Sequence, residues 1–251
     1  METPAISFVM PTKHRGERIG ATVETIIAQT IRDWELVVID ESADPLDRTE
    51  QVLRSFHDNR IRYYRTPPGF PSYPATRNLG NQLARAEIIA VADSDDFYAP
   101  KRAELSIEAL ADTSFDVCYG TYDVLYESNG ELIPPKRPTP AFSFDTYQER
   151  NYIPHASSAY RRQVAFDFPY NAFFVRAADY DFFLRVARYE KAFRFIPEKL
   201  FTYVIHDTNV SGGKRVREFD EVLRLNYMHG EGDRVAVVEH ILDQLTDRAV
   251  Q

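Results

Sequence analysis

The chain has 251 residues, with 30 basic against 38 acidic side chains and a net charge of −8. An acidic chain without a long basic run argues against general nucleic-acid binding, no apolar run approaches a membrane span, and the start lacks the pattern of a signal peptide. The single cysteine, Cys118, cannot form an internal disulfide and fits a reducing compartment, so a soluble cytoplasmic protein of one large domain or two small ones is expected.

Residues 6–10 form a short apolar strand closed by Pro11 and Thr12, and a polar loop follows over 13–17. Ile19, Val23, Ile26 and Ile27 recur at helical spacing and predict a helix over 19–29. Residues 34–39 read as a second buried strand, ending in Asp40, Glu41 and Ser42. A helix over 48–56 and a strand over 61–64 come next. Residues 73–78 lead into a helix through Leu79 and Leu83. A fourth strand begins at Ile88 and runs straight into Asp93, Ser94, Asp95 and Asp96. Strand and helix alternate with short connections, which predicts βαβ units around a mostly parallel sheet.

After Pro100 a helix runs through Leu105 and Leu110. Residues 115–126 are β-rich, and Asn129–Gly130 is a hairpin turn signal. Pro134, Pro135, Pro138 and Pro140 mark a loop, after which the composition turns aromatic. This change predicts a second half-domain on the same sheet. The next strong helix covers 176–190, with Tyr180, Phe183, Leu184 and Ala187 on its apolar stripe and Asp179 in its first turn. Two strands follow, over 193–196 and 200–205, ending at His206. Residues 218–250 read as two helices interrupted near Gly230.

Three strand ends thus carry polar groups to one rim: Pro11–Thr12, Asp40–Ser42 and Asp93–Asp95. Open α/β sheets bind ligands at that rim. Clustered carboxylates repel one another unless a positive charge compensates, and a hard divalent cation suits them. The competing reading is structural, with Ser94, Asp95 or Asp96 capping a helix that begins near Pro100.

These segments resemble the family 2 glycosyltransferases of GT-A fold, inverting enzymes that use nucleotide-sugars. The resemblance rests on the strand ending in Pro11–Thr12, on Asp40–Glu41–Ser42, on Ala75-Thr-Arg-Asn78, on Asp93-Ser-Asp95 with Asp96 and Pro100, and on residues 178–185, followed by Tyr203 and His206. It implies a mostly parallel, Rossmann-like sheet flanked by helices, with a nucleotide-binding half over 1–100 and a mixed acceptor-side half over 101–213. A C-terminal helical extension over 214–251 falls outside the matched region. Ala178 departs from the acidic residue that often precedes the family's catalytic aspartate, and Glu41 and Lys13–His14 also depart.

The resemblance implies that Asp40 and Arg77 recognise the base, with Pro11 and Thr12 at the pocket floor. Asp95 would bind Mn²⁺ or Mg²⁺, with Asp93 on the ribose or assisting the metal, Ser94 beside it, and His206 approaching the metal or diphosphate. Asp96 is either a cap or a donor contact. Asp179 is the expected general base. Asp181 is the runner-up, since it lies four residues before Arg185 and can simply pair with it. His155 either faces the acceptor or sits on a surface loop, and Lys13 and Arg15 either meet phosphate or are solvated.

The expected donor is a nucleotide-diphosphate sugar, with a UDP-sugar favoured, and the acceptor a saccharide or glycoconjugate. Peripheral membrane association and oligomerisation through the C-terminal helices stay open. Two other classes compete: a nucleotide- or carbohydrate-binding relative without catalysis, and a sugar nucleotidyltransferase. The latter wants a Gly-rich phosphate loop, and the loop after the first strand has only Gly16.

Overall fold

The structure, a computed structural model, describes residues 3–70, 72–174, 177–207 and 209. The C-terminal helices expected over 218–250, and the start of the helix expected at Arg176, lie outside the described residues. Four parallel strands come first in the sheet: β1 (Ile6–Thr12), β2 (Trp34–Asp40), β3 (Ile61–Arg65) and β4 (Ile88–Val91). Every residue of β1 and β2 is buried, as expected of strands covered on both faces. Helices α1 (Ile19–Ile27), α2 (Thr49–Ser55) and α3 (Tyr73–Leu83) make the connections. Gly80 lets α3 press onto the sheet, because a Cβ there would lie 2.4 Å from Val9 Cγ1.

The second half continues the same sheet. After β4 come β5 (Phe97–Tyr98), α4 (Arg102–Ala111), β6 (Val117–Tyr126), β7 (Glu131–Ile133) and α5 (Phe144–Glu149). A 3-10 turn at His155–Ser157 precedes β8 (Ala159–Arg161), α6 (Arg162–Asp167), α7 (Ala178–Arg188) and β9 (Phe193–Ile205). The strand order is β3-β2-β1-β4-β8-β6-β9-β5, with β7 on β6. β8 is the reversed strand in the middle, antiparallel to both β4 and β6.

The two strands expected over 193–205 are one strand, β9. It pairs in parallel with β6, and the register shifts where Ile196 opposes Gly120 and Lys199 opposes Thr121. Pro197 has no N–H for the ladder, so the strand bulges there and resumes.

Side chains alternate across the sheet into two cores. Ile6, Phe8, Met10, Leu36 and Val38 pack with α1 and α4 on one face. Val9, Ile89, Val91, Val117 and Tyr119 pack with α6 and α7 on the other. No helix among the described residues is long and apolar enough to cross a membrane.

Candidate active site

The carboxyl ends of β1, β2 and β4 open on one rim. Thr12 and Asp40 lie side by side in register, with Arg65 beyond them on β3. Asp40 is fully buried. Its Oδ1 accepts the Ser42 N–H at 2.8 Å, and its Oδ2 accepts the Tyr63 hydroxyl at 2.7 Å and Arg65 Nη2 at 3.4 Å. Burial and the Asp40 carboxylate push the Tyr63 hydroxyl far above its usual range. Pro11 and Thr12 are buried under this end of the sheet, and Thr12 Oγ1 has no hydrogen-bond partner among the described residues.

Arg77, on α3, is also fully buried, and it does not meet Asp40. Its Nη2 donates to Asp93 Oδ1 at 2.7 Å and to the Tyr73 hydroxyl, and its Nη1 reaches the Val9 carbonyl at 3.3 Å. Tyr73 in turn donates to Asp93 Oδ1 at 3.3 Å. The guanidinium lies 5.1 Å over the Tyr73 ring. Asp93 is therefore held from the α3 side.

The acidic turn does not cap a helix. α4 starts at Arg102 behind Lys101, with no side-chain cap. Asp96 instead accepts the Val204 N–H from β9 at 3.0 Å, which ties the turn to the far half of the sheet. Burial, then the charges of Asp93 and Asp95, raise its pKa well above the carboxylate range. Ser94 is buried within the turn. Asp95 is the member that faces the rim. Its Oδ2 meets His206 Nε2 at 3.0 Å and Arg15 Nη2 at 3.1 Å, and the His206 side chain is completely covered.

Two residues below the turn escaped the sequence reading. The Tyr98 hydroxyl accepts the Asp93 N–H at 2.6 Å and donates to the Asp93 carbonyl at 3.1 Å. Arg102 lies 4.4 Å over the Tyr98 ring and donates to the carbonyls of Val91 and Ser158, across the β4–β8 seam. An arginine in line with Ala103, Ser106, Ala109 and Leu110, the helical stripe that turns inward, was the available signal.

Asp179 and Asp181 sit in the first turn of α7. Asp179 is half-buried, and its Oδ2 accepts Asn151 Nδ2 at 3.1 Å. Burial raises its pKa, and the nearby charge of Asp93 adds to the rise. Asp93 and Asp179, far apart in sequence, thus come near enough for their charges to act on each other, with Tyr73 feeling both. Asp181 is 2 % exposed and takes Arg185 Nε at 2.9 Å along the helix. His155 is no loosely solvated loop residue: it lies in the 3-10 turn against the Tyr170 hydroxyl at 2.9 Å, half-buried, with its pKa pushed down to about 3 by burial and the Arg77 charge. Among the described residues, no three His, Cys, Asp or Glu side chains gather into a ready-made cation cage.

The family model "Glycosyl transferase family 2" matches residues 7–183, from β1 through the first turns of α7. The chain belongs to glycosyl transferase family 2. It is 27% identical over 141 residues to an Escherichia coli UDP-Glc:alpha-D-GlcNAc-diphosphoundecaprenol beta-1,3-glucosyltransferase, WfgD, covering 55% of this chain and 54% of that protein. It is 28% identical over 132 residues to a Staphylococcus aureus poly(ribitol-phosphate) beta-N-acetylglucosaminyltransferase, TarP, covering 51% of this chain and 39% of the other. The chain thus spans about half the length of such curated family 2 relatives. Among solved structures, that of S. aureus TarS 1-349 in complex with UDP-GlcNAc superposes with a TM-score of 0.65 at 14% identity, over 90% of this chain and 67% of that one. The GT-A fold is shared. In these family terms, the matched region holds Thr12, Asp40, Arg77, Asp93, Asp95, Asp179 and Asp181, whereas His206 lies beyond it.

Proposed function

We propose that the chain is an inverting glycosyltransferase, moving a sugar from a nucleotide-diphosphate donor to a hydroxyl of a saccharide or glycoconjugate acceptor. The observation that carries this reading is Asp179 itself, held by Asn151 near the charge of Asp93, with burial raising its pKa. A carboxylate with a raised pKa is a stronger base, suited to taking a proton from a hydroxyl. The printed names of the relatives, with UDP-Glc in one and bound UDP-GlcNAc in another, favour a UDP-sugar.

In this reading Asp40, wholly covered, serves the base end of the pocket by fixing Tyr63 and Arg65, and the buried, unpartnered Thr12 Oγ1 supplies a polar contact at the pocket floor. Arg77, wholly covered, serves the site by fixing Asp93 toward the ribose. Asp179 takes the acceptor proton as the acceptor oxygen bonds to the anomeric carbon, and the bond from that carbon to the diphosphate oxygen breaks on the opposite side. Asn151 holds the carboxylate in place through the transfer. Asp181 is committed to Arg185, which makes it a helix-stabilising residue and not the base.

Asp95 Oδ2 and His206 Nε2, 3.0 Å apart, form a carboxylate and imidazole pair that fits Mn²⁺, and with phosphate oxygens also Mg²⁺. Bound there, with Asp93 beside it, the cation would neutralise the leaving diphosphate. A thermal-shift series of nucleoside diphosphates with and without Mn²⁺ tests the donor. UDP should stabilise the chain most, and only with the metal present. Stabilisation by no nucleotide would sink the reading. Binding without turnover on any acceptor would favour a non-catalytic relative.

A further inference from the structure

The loop between β1 and α1 holds a charge that glycosyl transfer alone does not explain. Arg15 and His206 approach the same oxygen of Asp95, at 3.1 Å and 3.0 Å. The arrangement is largely covered, with Arg15 only 15% and Asp95 only 18% exposed. Asp93 and Asp96 have their own partners, Arg77 and the Val204 N–H. Asp95 is balanced chiefly by Arg15. The neighbouring Arg18 feels the Asp95 charge too, but its ion pair is with Glu127.

The backbone of this loop is pinned while its side chain spans the crevice. The Arg15 carbonyl accepts the N–H groups of Arg18 and Ile19 at 2.8 and 2.9 Å, closing the first turn of α1. The His14 N–H donates to Ser42 Oγ at 2.8 Å. Gly16 packs so closely that a Cβ would lie 2.9 Å from the backbone nitrogens of Arg48 and Thr49. The part of Arg15 able to move is its guanidinium. A divalent cation on Asp95 Oδ2 would stand a few ångströms from that guanidinium, and two like charges so close in a covered site repel strongly.

We propose that Arg15 is a resident counter-charge for Asp95, one that yields to the divalent cation and then pairs with the donor's diphosphate. This rests on the metal reading of Asp95 given above. Before the cation arrives, the guanidinium keeps the carboxylate aimed at the rim. Once displaced, it remains within side-chain reach of the same spot, and its planar fork suits phosphate oxygens. Arg15 is thereby a contact to the leaving group as well as a gate on metal affinity.

The test measures Mn²⁺ uptake by the full chain without nucleotide, from the electron paramagnetic resonance of unbound Mn²⁺, and then UDP affinity at saturating Mn²⁺. Arg15→Gln should bind Mn²⁺ roughly fivefold more tightly, since a competing ion pair is gone. It should bind UDP in the presence of Mn²⁺ about tenfold more weakly. Arg15→Lys keeps the charge, so its Mn²⁺ affinity should stay near wild type and part of the UDP affinity should return. Mn²⁺ affinity in Arg15→Gln equal to or below wild type overturns the inference, provided Asp95→Ala abolishes uptake. Uptake that is absent from the wild type, or unaffected by Asp95→Ala, overturns the metal reading and this inference with it.

Discussion

The two faces of the sheet are built from different materials. The face under α1 and α4 is mostly aliphatic, filled by Ile6, Met10, Ile19, Val23, Leu36 and Val38. The face under α6 and α7 is dense with rings, among them Tyr119, Tyr147, Tyr160, Tyr170, Tyr180, Phe182 and Phe183. Aliphatic packing is held by shape and is nearly indifferent to direction. Buried tyrosines add a directional demand, because each hydroxyl needs a partner. Tyr119 donates to the Pro140 carbonyl, Tyr160 to Asn81 Oδ1, and Tyr180 to the carbonyls of Tyr147 and Gln148. The aliphatic face has Tyr98 as its counterpart, and it sits under the acidic turn. Tyr98 holds the backbone of Asp93, and on the ring-rich face Tyr147 holds Asn151, the partner of Asp179.

The largest expected effect tests whether the aromatic face serves catalysis. Asp179→Asn should lower the transfer rate by about 10²- to 10⁴-fold, while UDP binding stays close to wild type. The same variant should be more stable at neutral pH. Burial raises the Asp179 pKa, so the fold favours the neutral acid, and that stabilisation is lost as pH rises through the folded-state value. An asparagine never carries the charge. Its advantage in Tm should therefore vanish in acid, where the wild-type carboxyl is protonated too. The wild-type rate should fall on the acid side at a pH above the ordinary carboxylate range. A variant with full activity would remove Asp179 from the mechanism.

Arg77 probes the polar anchor between the donor rim and the aromatic face. It pairs with Asp93 at 2.7 Å and lies 5.9 Å over the Tyr170 ring. Arg77→Met keeps the volume but strands Asp93. The expected loss is about 3 kcal/mol, at the low end for a broken buried pair because Asp93 is part-exposed. Urea unfolding measures it. A loss under about 1 kcal/mol would mean that shape alone fixes this face.

The same contrast governs what the sequence reveals. The first four strands and three helices are legible because strands buried on both faces make apolar runs and their helices repeat at 3.6 residues. β8 is three residues long, Ala159–Arg161, too short to show any period, yet it reverses the centre of the sheet. Pro197 reads as a break because the pairing that resumes beyond it, Lys199 with Thr121, is set only in three dimensions. Asp40, Asp93, Asp95 and Asp179 stand out as acidic residues at element ends. Their partners do not: Tyr63, Tyr73, Tyr98 and Asn151 look like ordinary strand, helix or loop residues until tertiary contact assigns them. Arg15 is visible as a charge after β1, but not as the partner of Asp95.

The smallest effect follows the longest chain of contacts on the aromatic face. The Tyr147 hydroxyl donates to Asn151 Oδ1 at 3.0 Å, and Asn151 Nδ2 donates to Asp179 Oδ2 at 3.1 Å. Tyr147→Phe removes the first bond and leaves the ring seated against Tyr152 and Tyr180. The stability cost should be about 1 kcal/mol. The informative readout is the pH profile. The Asn151 bond lowers the Asp179 pKa against the rise caused by burial. Loosening Asn151 weakens that opposition, so the acid limb of the rate profile should move to higher pH while the plateau rate changes little. A profile that does not move, with the same loss of stability, would make Tyr147 a packing residue alone. A profile that moves would show an aromatic hydroxyl setting the strength of a base two contacts away.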